Sequence, residues 1–312
     1  MFRILKYLKP FIPMILLAVV LLFVQANADL SLPDYMANIV NYGIQQSGVT
    51  NAIPEAIRTS QFYRIVIFSS PADRDIINRD YTPVDKNSPD YATYLKQYPD
   101  LANEPIYVLK PIDQTEIDLL NPIMGKGLLA VTAFDQLLAD PAKVAALGKS
   151  MGFDLSKLPK GVDPIMLMAK LPPAALSQIT TAIGSKFASM GTSMIVQAAA
   201  APVKAEYVAL GMDTTALQNN YIINTGIIML LFSLLSGACT IVVGYLSART
   251  AAGMARNLRR AVFTKVENFS SAEFDKFSTA SLITRSTNDI TQVQMVVLMM
   301  IRMVIYLSLI HI

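Results

Sequence analysis

Residues 220–246 read NYIINTGIIMLLFSLLSGACTIVVGYL, and no charged side chain occurs anywhere between Asp213 and Arg249. A helix needs about 20 mostly apolar residues to cross the hydrocarbon of a bilayer, so this stretch predicts a lipid-spanning helix and makes the chain an integral membrane protein. The interval between Lys9 and Asp29 is also free of charge and predicts another span near residues 11–28. Composition agrees: 53% of the 312 residues are hydrophobic and 16% charged, against roughly a quarter charged in soluble domains. Mean hydropathy is +0.42.

Charge placement gives the expected orientation. Arg3, Lys6 and Lys9 precede the first span; Arg249, Arg256, Arg259, Arg260 and Lys265 follow the second, with no acid before Glu267. Basic flanks stay in the cytoplasm. Residues 46–218 mix 15 basic with 17 acidic side chains and carry 14 of the 17 prolines, so nothing in that segment retains it inside. The expected organisation is a cytoplasmic N-terminus and first transmembrane helix over 1–45, an extracytoplasmic insertion over 46–218, and a second transmembrane helix, cytoplasmic hairpin and start of a third helix over 219–312. The fold class is membrane all-α with a mainly helical α+β insertion. Within the insertion, Arg64–Phe68 and Pro105–Leu109 read as β-like, and the pattern turns helical from Gln114, with breaks at Pro141, Pro159 and Pro172. The uncharged run Phe187–Val203 is short for a crossing, contains Gly191, Gln197 and Pro202, and is read as part of the insertion.

The stretch after the second span carries the most information. Met254, Leu258, Val262, Val266 and Phe269 recur at helical spacing with no proline among them, predicting an amphipathic helix that leaves the membrane for about 35 Å. Ser270-Ser-Ala-Glu273 fits a capping box, which starts a new helix by reciprocal side-chain bonds to free N–H groups. A short helix over Ser271–Phe277 is expected there. Ser278 or Thr279 then caps a returning helix, and Ser281 to Arg302 gives about 32 Å. Equal arms make a hairpin that returns to the bilayer near Arg302. A helix ending inside hydrocarbon leaves carbonyls unsatisfied. The third span is therefore expected to continue past residue 312, and whether Leu307–Ile312 is native sequence stays open.

The hairpin residues resemble the ATP-binding cassette (ABC) exporters. In that family the first cytoplasmic loop has an aromatic-acid pair, then an apolar pair with Ser/Thr-Arg, then Asn-Asp. Phe274-Asp275, Leu282-Ile283, Thr284-Arg285 and Asn288-Asp289 fall at matching spacings, while Ala280, Ser281 and Ser286 depart from the pattern. Leu32-Pro33-Asp34-Tyr35 and Ile39–Ile44 look like bacterial multidrug-type half-transporters with a large extracellular loop between the first two helices. The resemblance implies the front part of a type-1 transmembrane (permease) domain in the cell membrane, exporting a hydrophobic drug, lipid or peptide-like substrate. It further implies that Ser271, Glu273, Phe274, Asp275 and Phe277 form a coupling helix that seats in a nucleotide-binding domain. Thr284, Arg285, Asn288 and Asp289 are the hairpin motif. Partners so implied are that nucleotide-binding domain, a second half-transporter in a homo- or heterodimer, and the lipid bilayer. ATP and Mg belong to the nucleotide-binding domain, and no cofactor or catalytic residue is expected in these 312 residues.

Other signals are weaker. Ser236, Thr240, Gly244 and Ala248 recur every four residues and read as a helix-packing stripe. Asn219, Asn220 and Asn224 stand near the outer end of the second span, facing either a cavity or the polar interface. Cys239 is the single cysteine and His311 the single histidine, which excludes an intrachain disulfide and a Cys/His metal site. Gly148-Lys149-Ser150 mimics the end of a phosphate-binding loop, but Lys143 stands where a glycine is required. The arginines at 256, 259 and 260 read as a solvated face, not a nucleic-acid site.

The alternative function is a two-span receptor, a chemoreceptor or sensor kinase, with an extracytoplasmic ligand-binding domain. The apolar run from Met295 to Tyr306 distinguishes the two, since it suits a returning span better than a cytoplasmic linker. A secreted, anchored binding domain is a third reading, because the basic start, Phe11–Val24 and Ala26-Asn27-Ala28 resemble a cleavable signal. N-terminal sequencing of the mature protein is expected to find the first span retained; a start at Asp29 would overturn the two-span reading.

Overall fold

A computed structural model describes residues 6–140, 163–168, 189–274, 276–304 and 306–307, with Leu176, Thr181, Ser185 and Phe187. The phosphate-loop mimic at 148–150, Asp275, His311 and the breaks at Pro141, Pro159 and Pro172 lie outside the described residues. The chain divides into two compact units, Met1–Ala37 with Thr225–Ile312, and Asn38–Asn224.

The first unit is helical. Its two apolar segments lie in the helices Ile12–Asn38 and Thr214–Glu267, the former continuing as a π-helical turn over Ile39–Gln45. Both are long and apolar enough to cross a membrane. At about 1.5 Å per residue the 54 residues of the second helix extend roughly 80 Å, well beyond the hydrocarbon thickness of about 30 Å. Continuity has a cause: every peptide group in hydrocarbon must find its partner inside the helix. The helices pack through Ala18, Leu246, Ala251, Met254, Val297 and Ile301. Gly253 lets the Phe11 ring approach, since a Cβ there would lie 2.3 Å from it. The Tyr35 and Phe232 rings meet at 5.3 Å.

The second unit is α+β. Strands β1 (Ala56–Arg58), β2 (Tyr81–Val84) and β3 (Ile106–Leu109) form an antiparallel sheet in the order β1-β3-β2, with Ala56 opposite Val108 and Tyr81 opposite Leu109. The Pro105–Leu109 expectation corresponds to β3. The β-like reading of Arg64–Phe68 is corrected: these residues end the helix Thr59–Phe68. Their β-branched run imitates a strand, but Phe62, Ile65 and Phe68 recur every three residues and are all buried. The free N-terminus of that helix is satisfied from a distant loop, where the Ser60 N–H donates to Glu104 Oε1.

The helix Gln114–Leu138 is also apolar enough to cross a membrane. It is instead the centre of this unit, with Leu120, Met124, Leu128 and Val131 fully enclosed. Two glycines set its packing. A Cβ on Gly125 would meet Ile195 at 2.6 Å, and one on Gly127 would meet Ile65 at 2.5 Å. Two residues turn a helix by about 200°, so these opposite faces admit the helices Thr192–Ala209 and Thr59–Phe68 respectively. The run Phe187–Val203 thus contributes to a core helix, with Ile195, Ala199 and Val203 buried.

Polar bonds lock the sheet to the helices. Glu206 is buried and accepts from the Arg58 backbone N–H at 2.7 Å and from Nε and Nη2 at 3.0 and 2.8 Å. That carboxylate raises the Arg58 pKa further above its ordinary value. The Tyr207 hydroxyl accepts from the Glu55 N–H, and the Tyr81 hydroxyl donates to the Pro54 carbonyl. Burial pushes the phenols of Tyr81, Tyr98 and Tyr207 above their usual value of 10.0. An acid with a raised folded pKa binds its proton more tightly in the fold, so stability is intact below 10 and falls as pH rises past it. Each such tyrosine contributes a slope of up to about 1.4 kcal/mol per pH unit. Alkaline titration of the chain in detergent should therefore show late phenol ionisation, by ultraviolet absorbance, coinciding with unfolding of this unit. Ionisation of every tyrosine near 10 without unfolding is the opposing result.

Candidate functional site

The hairpin belongs to the first unit. The long helix ends at Glu267, and the chain turns through a single helical turn, Ser271–Phe274. Lys276 and Phe277 follow in turn conformation, their N–H groups donating to the carbonyls of Glu273 and Phe274. At the N-terminus of this turn the Glu273 carboxylate accepts from both the backbone N–H and the hydroxyl of Ser270, each at 3.0 Å. Only half of the reciprocal box forms, because the Ser270 hydroxyl donates to the carboxylate and the Glu273 N–H goes to the Ser270 carbonyl. The Ser270 N–H, then its hydroxyl, hold the Glu273 pKa below the usual 4.5.

The five coupling-helix residues separate by environment. Ser271, Glu273 and Phe274 are exposed, with the Phe274 ring 44% accessible. Phe277 is exposed too, at 36%, but differs in its partners: it stacks on Phe269 at 5.7 Å and receives the Arg285 guanidinium at 5.6 Å. It closes the base of the turn, and Phe274 stands out from it. Asp275 lies outside the described residues.

On the returning arm Ser278 is the cap: its hydroxyl accepts from the Ser281 N–H. The arm is helical from Thr279 to Val304 but not uniformly α, with π-turns at Arg285–Asp289 and Met300–Val304. The first π-turn has a local cause. Ser286 and Thr287 both donate to the Ile283 carbonyl, and Thr284 donates to that of Ala280. Hydroxyls competing for helix carbonyls loosen the regular ladder. Asn288 and Asp289 are exposed in that turn. Arg259 braces the two arms by donating to the Thr291 hydroxyl at 3.0 Å, about 16 Å of helix above Ser270.

In the long helix the enclosed face runs through Ser236, Cys239, Val243, Leu246, Ser247, Thr250 and Met254. Of the four-residue series, Ser236 is on this face, Thr240 and Gly244 are half-buried and Ala248 is exposed. A spacing of four drifts about 40° per step around a helix, so the series winds off the packed face. Gly237 and Gly244 meet no atom within 4 Å of a notional Cβ.

A second cluster lies where the sequence reading placed only the end of a span. Asp29, inside the first helix, accepts from the Ser236 hydroxyl at 2.6 Å on Oδ1 and from the Tyr306 hydroxyl at 2.7 Å on Oδ2. The available signal was an acid flanked by Gln25 and Asn27 in a pattern that stays helical to Ile44. Among the described residues there is no group of His, Cys, Asp and Glu able to hold a metal.

Comparison with known proteins addresses the C-terminal part. Residues 174–312 match the family model described as ABC transporter transmembrane region. An uncharacterized ABC transporter ATP-binding protein of Mycobacterium tuberculosis (strain ATCC 25618 / H37Rv) is 41% identical over 78 residues, 25% of this chain and 13% of that protein. A protein of the same description from Bacillus subtilis (strain 168) is 35% identical over 77 residues, again 25% of this chain and 13% of its own length. The similarity therefore spans about an eighth of those relatives. No solved structure matches. The C-terminal part of the chain is thus similar to an ABC transporter transmembrane region, and the chain carries helices apolar enough to cross a membrane.

The hairpin turn is expected to lose its order in acid. A carboxylate with a lowered folded pKa stabilises the turn above its usual value and stops doing so as pH falls through the folded one. Hydrogen exchange at the Ser270 amide should speed up in Glu273→Ala. At a pH low enough to protonate Glu273, wild type and variant should exchange alike; protection that is the same in both proteins at neutral pH would remove the carboxylate from the account.

Proposed function

We propose that this chain supplies the leading part of the transmembrane subunit of an ATP-driven ABC-type exporter of hydrophobic substrates. The N-terminus and the 249–302 hairpin are cytoplasmic in this reading, and residues 46–218 are extracytoplasmic. The carrying observation is the hairpin tip: an exposed Phe274 on a one-turn helix, mounted on two arms braced by Arg259 and Thr291. An exposed aromatic on a rigid mount suits insertion into a groove of a partner. A nucleotide-binding domain that closes on ATP would move such a lever as one body and alternate cavity access. Phe277, held by Phe269 and Arg285, keeps the turn in shape, while Phe274, Glu273 and Ser271 face the partner.

The assembly would pair this subunit with a second half-transporter as a homo- or heterodimer. The open face of the long helix at Gly237 and Gly244 suits close approach of a further helix. ATP and Mg act in the nucleotide-binding domain. The two-span receptor is disfavoured by the packing of Val297 and Ile301 against Ala18 and Leu246, which makes the returning arm a member of the bundle.

Two measurements test the reading. In a Cys239→Ser background, a membrane-impermeant maleimide should label Lys86→Cys on intact cells and Lys276→Cys only after permeabilisation; outside labelling at 276 reverses the topology. Phe274→Ala should cut ATP-driven dye export by roughly tenfold, as for loss of an aromatic interface anchor, while nucleotide binding persists. Undiminished export by the variant would remove Phe274 from the coupling contact.

A further inference from the structure

The Asp29 cluster lies apart from the hairpin tip and joins three helices at one carboxylate. Ser236 lies about 20 Å of helix from Arg249 and about 34 Å from Asp213, so its hydroxyl stands within the charge-free segment. Asp29, bonded to it, is therefore in the hydrocarbon layer on the side away from Arg249. Ionisable groups are costly there and mark ligand pathways.

Its neighbours leave it short of positive charge. Ser236 and Tyr306 each donate one hydrogen bond to it, and the Gln25 side chain lies beside the Tyr306 phenol. All three are neutral. Ion pairs among the described residues join Arg58, Arg64 and Arg79 to acids of the α+β unit; none reaches Asp29. Arg302, one turn before Tyr306, is exposed and makes no ion pair with it. A carboxylate offers about four lone-pair directions, of which two hydroxyls fill two, and Asp29 keeps part of its surface accessible. On the same two helices, about 6 to 9 Å further along, the half-buried Tyr35 and Phe232 rings meet. Aromatic faces attract cations and apolar groups alike.

We propose that Asp29, held by Ser236 and Tyr306 beside the Tyr35–Phe232 ring pair, binds the charged centre of a lipophilic cation from within the membrane. This rests on the transport reading only for its physiological meaning; the site itself requires no ATP.

The test therefore omits nucleotide, so its failure is separate from failure of the coupling reading. The whole chain in lipid nanodiscs is equilibrated with tetraphenylphosphonium or with neutral triphenylphosphine oxide, and empty nanodiscs are subtracted. Asp29→Asn keeps the shape, and the neighbouring hydroxyls can still bond to it. It should weaken phosphonium binding on the order of tenfold or more, the scale of one charged contact, and leave the neutral probe unchanged. Tyr306→Phe removes a bond but keeps the charge and should retain the cation. In the wild-type chain, phosphonium but not the phosphine oxide should protect Asp29 from modification by dicyclohexylcarbodiimide, read by peptide mass spectrometry, which covers the case of an Asn variant that fails to fold. Equal phosphonium binding by wild type and Asp29→Asn, parallel loss of both probes, or absence of protection each overturns the proposal.

Discussion

Hydrocarbon offers no partner to a peptide N–H or C=O, and the helical unit depends on that constraint. Each crossing must be an unbroken ladder of its own bonds. The second helix obeys it over Thr214–Glu267, across the charge-free stretch and on into the hairpin without a break. A stiff rod results as a by-product of solvation. The arms of the hairpin take their rigidity from the same helix, and the Arg259–Thr291 bond joins them side by side. Irregularity is admitted where a hydroxyl can carry a bond, as at Ser286 and Thr287.

Much of this unit was legible because its signals are local. Absence of charge marks a span, a three-four recurrence marks a helix, and Ser270 with Glu273 marks a turn. What escaped was long-range or competitive. Counting charges makes Asp29 the edge of a span, because its bonded partners lie 207 and 277 residues away. The π-turn at Arg285–Asp289 comes from two hydroxyls sharing the Ile283 carbonyl, which no periodicity encodes. The small-residue series at 236, 240, 244 and 248 follows residue size, and enclosure within the chain follows the alternating three-four face through Cys239, Val243 and Leu246.

The α+β unit was less legible for the same reason. Ile65-Val-Ile67 has the composition of a strand, and only packing against Gly127, with the Glu104 bond at the helix start, makes it helical. Strands β1 and β2 are three and four residues long, too short for alternation to announce them. Their position is held from outside the sheet, by Arg58 donating to Glu206 and by the Tyr81 hydroxyl donating to the Pro54 carbonyl.

The helix Gln114–Leu138 has a consequence during synthesis. In the proposed topology it must pass wholly through the protein-conducting channel, although its length and apolarity suit it to leave sideways into lipid. Glu116, Asp118, Lys126 and Asp135 lie within it, and Lys126, at its centre, opposes lateral insertion by roughly 2.5 to 3.5 kcal/mol. That side chain thus acts before the fold exists, against exit into lipid. Gly125 and Gly127 then allow close burial between two helices once the segment has crossed. One helix thus carries both kinds of residue, a charge that acts during synthesis and glycines that act in the finished core.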